Sequence, residues 1–146
     1  MPNSLPASAL PLSEIEKSLI GLARETINAT TDAGPGNEGV HTMGAAVRAK
    51  DGRTFSGVNL YHFTGGPCAE LVALGAARAA GAAELTHIVA VGNHDRGVKS
   101  PCGRDRQILV DYYPGIRVIL DTPHGLVSVI ASDLLPFSYD YLAEQV

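Results

Sequence analysis

Apolar positions first recur at helical spacing along Ile15, Leu19, Ile20, Leu22 and Ile27, predicting an amphipathic helix that ends near Asn28. Ser13 precedes this stripe and Glu16 follows three residues later, the signature of a capping box. The residues ahead of it hold three prolines among small polar side chains, so 1–12 is expected as a flexible N-terminal arm and 13–146 as a single domain. Residues 30–39, rich in Gly, Thr, Asp and Asn, form a loop placed to border a pocket. Two strand-like runs, 42–48 and 54–59, flank Lys50-Asp51-Gly52-Arg53, and Asp-Gly is the strongest short hairpin signal. A second helix opens at Pro67, passes Leu71 and Leu74 into an alanine-rich stretch, and stops at Gly81. The continuous β-branched run 86–91 predicts a strand buried on both faces, followed by a polar loop over 92–100. A short helix starts at Pro101, two strands at 116–120 and 126–130 surround the turn Thr122-Pro123-His124-Gly125, and 131–145 reads as a last helix. Helix, hairpin, helix, strand, helix, strands, helix is the order of an α/β three-layer sandwich.

Composition narrows the function classes. The 146 residues are 45% hydrophobic and 18% charged, enough to fold around one core. A net charge of −4 argues against a phosphate-backbone partner, so nucleic acid is not expected. No apolar run reaches the roughly 20 residues that span a bilayer, and no basic-then-apolar leader opens the chain; a cytoplasmic protein without membrane attachment is expected.

The chemistry concentrates in two short segments. The only two cysteines lie in Thr64-Gly65-Gly66-Pro67-Cys68-Ala69-Glu70 and in Pro101-Cys102-Gly103-Arg104-Asp105. Each follows a proline at the start of a predicted helix, where unpaired N–H groups and the helix dipole stabilise a thiolate. This context favours two metal-binding thiolates over a disulfide. Glu70, two residues beyond Cys68, is then close enough to a metal to move protons for a bound water without ligating it. His94 and Asp95 sit together in the polar loop and read as a solvated pair, and the other histidines are scattered.

These segments resemble the zinc signature of the cytidine deaminase superfamily. Asp51-Gly52-Arg53, Gly57-Val58-Asn59, Tyr61 to Glu70 and Ser100 to Arg104 are most similar to its blasticidin-S deaminase branch, and the resemblance spans residues 42–136. It implies a five-stranded mixed sheet flanked by helices, Zn²⁺ as cofactor, Glu70 as proton shuttle, and a homotetramer whose neighbouring subunits complete each pocket. It also implies a small nucleoside-like substrate and deamination of a cytosine-like ring. Residues placed by the resemblance at the substrate are Asn59 on the sugar portion, His41 where an aromatic stacks on the base, Thr42, Ala69, Tyr61 and Tyr141. Tyr61 stands where ordinary cytidine deaminases carry a ribose-binding Glu. His41 can equally cap a strand, and Tyr139 and Tyr141 can equally serve packing.

The pattern breaks at one residue, because Asp105 stands where the family has a third cysteine. A carboxylate oxygen binds zinc at about 2.0 to 2.2 Å, and two thiolates plus one carboxylate carry the same charge as three thiolates. Arg104 keeps its neutralising role beside them. Two readings follow: Cys68, Cys102 and Asp105 form an adapted zinc site, or Asp105 marks a lost one in a catalytically silent relative that binds a nucleoside-like ligand.

Overall fold

The computed structural model describes residues 4–34 and 38–145. Its seven strands are β1 (Leu10–Pro11), β2 (Met43–Ala49), β3 (Thr54–Val58), β4 (Leu85–Gly92), β5 (Gly97–Lys99), β6 (Arg117–Thr122) and β7 (Gly125–Ile130). Three α-helices accompany them: α1 (Glu14–Thr30), α2 (Ala69–Ala79) and α3 (Gly103–Tyr112). The strands form one mixed sheet in the order β1-β7-β6-β4-β2-β3, with β5 paired to β4. Only the β4–β6 pairing is parallel among those described, as a crossover through α3 requires.

Side chains alternate across the sheet, and that alternation builds two cores. Ala46 of β2, Val89 and Val91 of β4 and Ile119 of β6 meet Leu19, Ile20, Ala23 and Ile27 of α1 on one face. Their neighbours Ala45, Val47, Ile88, Ala90, Val118 and Leu120 meet Ala73, Leu74 and Ala77 of α2 and Leu109 of α3 on the other. The result is the three-layer sandwich. Small residues bring the layers close: a Cβ on Gly57 would lie 2.7 Å from the backbone nitrogen of Ala73 in α2. One on Gly44 would lie 2.6 Å from the Ala23 carbonyl oxygen in α1.

The five expected strands are the long ones, and two short ones extend the sheet. The N-terminal segment is not a free arm where it is described. Leu10 and Pro11 pair with Ser128 and Val127, and the Ser8 carbonyl accepts from Arg117 Nη2 at 2.7 Å. Pro11 is tolerated because β1 is a sheet edge, where a missing N–H costs no ladder bond. The 92–100 loop contains β5, turned back on β4 by His94 and Asp95, both at positive φ, with Arg96 N donating to Asn93 O at 3.2 Å. Such a two-residue primed turn suits the strand twist, so His94 and Asp95 shape a hairpin rather than sit in a loose loop. The C-terminal segment forms no α-helix: one 3₁₀ turn covers Ala131–Leu134 and another Ala143–Gln145. Pro136 explains the break, since it lacks an N–H and bars Leu135 from helical backbone angles.

The capping box forms as the sequence predicts. Glu16 N donates to Ser13 Oγ at 3.3 Å while Ser13 N donates to a Glu16 carboxylate oxygen at 2.7 Å. Glu16 is also buried, with His87 Nε2 at 3.8 Å and Arg117 Nε at 3.9 Å. Burial works to raise its pKa, yet hydrogen bonds from Ser128 and Ser13 and the neighbouring His87 hold it below the usual carboxylate value.

Candidate metal and substrate site

Both cysteines are N-cap residues, Cys68 of α2 and Cys102 of α3. The preceding prolines suit the extended backbone there, and neither sulfur is used to cap its helix. The helices enter side by side, so the two sulfurs face each other 3.7 Å apart. A disulfide requires about 2.05 Å, whereas two sulfurs about 2.3 Å from one tetrahedral ion lie roughly 3.8 Å apart. Asp105, in the first turn of α3, completes the group: its carboxylate and the two sulfurs all lie within 4.8 Å of one another.

Asp105 is 1% exposed, and neither of its oxygens has a hydrogen-bond partner. An orphaned buried carboxylate costs roughly 1–3 kcal/mol or more, so native structures place one where a cation pairs with it. The surroundings make the same demand. Burial pushes the Cys68 thiol up to about 12, helped by Asp105, Cys102 and Glu70 around it. Burial likewise pushes Glu70 up to about 7, with the Asp105 carboxylate adding to it. Four acidic groups therefore converge, facing one nearby guanidinium. Arg104 Nη2 donates to the Gly66 carbonyl at 3.1 Å and lies 3.9 Å from Cys68 Sγ. A divalent cation held by Cys68, Cys102 and Asp105 would relieve this repulsion and satisfy the orphaned oxygens, and the donor set fits zinc.

The site opens into a cavity of about 260 Å³ whose wall includes Met43, Asn59, Tyr61, Ala69, Glu70 and Asp105. That volume takes a small heterocycle. Asn59 is placed there by its own carboxamide. Oδ1 accepts from Thr42 N at 2.8 Å and Met43 N at 2.9 Å, and Nδ2 donates to Val40 O at 3.1 Å. The side chain that the resemblance puts on a sugar thus also ties the start of β2 to the end of β3. His41 and Thr42 stand behind that wall and do not line it. His41 Nδ1 lies 2.7 Å from Asn59 O, while the Thr42 carbonyl accepts from Asn93 N at 2.9 Å and Arg96 Nη2 at 2.8 Å.

Tyr141 is not brought to this cavity. It lines a separate one of about 480 Å³ with Tyr112, Tyr139 and Leu142. Conversely, Met43 and Ser100 line the site though sequence reasoning passed over them. Ser100 carried a signal, as the residue before Pro101; Met43 carried none beyond its place at the head of a strand. Arg96, which braces the Thr42 carbonyl from the turn between β4 and β5, had no role assigned from the sequence.

Comparison with known proteins gives this architecture a family, although no family model matches the chain. The chain belongs to the cytidine deaminase superfamily, near blasticidin-S deaminase. It is 31% identical over 137 residues to the blasticidin-S deaminase of Bacillus cereus, covering 88% of this chain and 94% of that protein. It is 34% identical over 99 residues to the cytidine deaminase of Mycobacterium tuberculosis, covering 66% of this chain and 71% of that one. Among solved structures, the cytidine deaminase of Burkholderia pseudomallei superposes with a TM-score of 0.68 at 30% identity, covering 88% of this chain and all of that one (100%).

Proposed function

We propose that the protein is a zinc-dependent hydrolytic deaminase of a cytosine-like nucleoside: cytidine, a modified cytosine nucleoside or blasticidin S. The observation that carries this reading is the buried, unpartnered Asp105 carboxylate beside two facing cysteines, with Glu70 in the same cavity wall. Cys68, Cys102 and Asp105 are the metal ligands, and Arg104 offsets the excess negative charge. Bound zinc supplies Lewis acidity, lowering the pKa of a water from 15.7 toward about 7.

Glu70 then does the proton work. Its carboxyl is buried in the cavity wall, and burial raises its pKa, which suits a group that must accept and return a proton. It takes a first proton from the attacking water and passes it to the ring nitrogen, then takes the second from the hydroxyl so formed and gives it to the leaving amino group. Water's oxygen becomes the new carbonyl, the carbon–nitrogen bond breaks, and ammonia leaves. Asn59 and Ala69 hold the substrate in the cavity, and Tyr61 replaces the usual ribose clamp, which admits a substrate other than plain cytidine. His41 and Thr42 act behind Asn59, shaping the wall it presents.

This reading includes a single catalytic domain, β1 at Leu10–Pro11 included, in the cytoplasm, assembled as a homotetramer in which Tyr141 serves a neighbouring pocket. No described helix is long and apolar enough to cross a membrane. Elemental analysis with ammonia release from a panel of aminopyrimidine nucleosides tests the assignment. About one zinc per chain and ammonia from at least one nucleoside are expected. Metal-free protein that deaminates none of them is the silent relative instead.

A further inference from the structure

We propose that Asp105 retunes the metal site away from soft cations, so that this chain favours Zn²⁺ over Cd²⁺ more than a site with three thiolates would. The inference rests on the metal reading above and concerns selectivity, which that reading leaves open. Two sulfurs 3.7 Å apart supply the soft half of the donor set. The hard half is a carboxylate with both oxygens buried and neither hydrogen-bonded, so both remain available to a cation. No third cysteine exists in the chain to replace it.

Softness decides which ion such a set prefers. Cd²⁺ shares the charge and filled d shell of Zn²⁺ but is larger and softer, so it gains most from thiolates and least from a carboxylate. Replacing one sulfur by an anionic oxygen therefore lowers cadmium affinity more than zinc affinity. Burial sharpens the contrast, because water cannot easily substitute for the oxygen donor at a group that is 1% exposed.

The test equilibrates the full-length protein with buffered free Zn²⁺ and Cd²⁺ together and reads the bound ratio by elemental analysis. Asp105→Cys should raise the cadmium-to-zinc ratio by about tenfold or more. Asp105→Ala, which removes the hard donor without adding a soft one, should lower zinc affinity about 10- to 100-fold and cadmium affinity less. That second variant keeps the test decisive if Asp105→Cys fails to fold. Zinc-binding protein whose metal ratio is unchanged in both variants would overturn the inference while leaving the deaminase reading intact. Wild-type protein that binds neither metal would end both.

Discussion

Removing Asp105 should stabilise the metal-free protein and reduce the stabilisation that zinc gives. In Asp105→Ala the two orphaned oxygens disappear, relieving an unsatisfied-group penalty of roughly 1–3 kcal/mol. The lost carboxyl leaves a gap about the size of one water, roughly 30 Å³. At about 24 cal/mol per Å³ that gap costs about 0.7 kcal/mol. The metal-free variant should therefore gain about 0.3–2.3 kcal/mol, which at this chain length raises Tm by roughly 1–9 °C. Zinc opposes this gain. Wild-type protein at a free zinc concentration of 100 Kd gains about 2.7 kcal/mol, whereas a variant with tens-fold weaker binding gains far less at the same concentration. Thermal unfolding of both proteins, with chelator and with buffered zinc, reads the two differences directly. A variant less stable than wild type in chelator, or equally stabilised by zinc, would refute the view that Asp105 is an unpaired carboxylate awaiting a cation.

Cys68→Ala should release the metal, reducing zinc in dialysed protein from about one per chain to near zero; unchanged stoichiometry would place the metal elsewhere. Gly57→Ala should cost about 1–3 kcal/mol in urea unfolding, since its Cβ would meet the α2 backbone at 2.7 Å; a neutral effect would mean that α2 stands further off the sheet. Two groups, His87 and Glu16, should each cost stability as acid is added. Burial, as the largest cause, holds His87 below its ordinary 6.5, and hydrogen bonds hold Glu16 below its ordinary 4.5, so at each group the unfolded chain binds protons first. The stability linked to each is present above those ordinary values and is lost as pH drops through the lower folded ones. Glu70, raised to about 7, acts in the opposite sense between pH 7 and 4.5. In metal-free Glu70→Gln, which removes that trend, urea midpoints measured from pH 7 to 3 should decline, less steeply below pH 4.5 when Glu16→Gln is added; midpoints that rise from pH 7 to 5 in that background would contradict the His87 assignment.

Local signals in the sequence marked most of the sandwich. Ser13 and Glu16 announced α1, Asp51-Gly52 the β2–β3 hairpin, and the run after Leu85 a strand that proves to be the buried centre of the sheet. What escaped was structure fixed by distant partners. Leu10–Pro11 becomes a strand only because β7 has a free edge, and β5 forms because a turn at His94 and Asp95 folds it back on β4. The C-terminal helix was expected from Leu134, Leu135 and the tyrosines, but Pro136 outweighs them. At the site, paired Pro-Cys words and Asp105 marked a cluster that could hold a metal because helix N-termini impose local rules. The cavity wall followed no such rule: Asn59 faces it through hydrogen bonds to residues 17 and 19 positions away, a relation no spacing reveals. The burial of Glu16 was equally hidden, since a capping glutamate is ordinarily solvated.

The most direct measurement is ammonia release by the zinc-loaded protein given cytidine, modified cytosine nucleosides and blasticidin S, with Glu70→Gln run in parallel. The wild-type protein should deaminate at least one of them. Glu70→Gln should keep its zinc and lose about 10²- to 10⁴-fold in turnover, since the amide can neither take nor return the proton. Ammonia released equally by both proteins, or by neither with zinc in place, would contradict a deaminase built on Cys68, Cys102, Asp105 and Glu70.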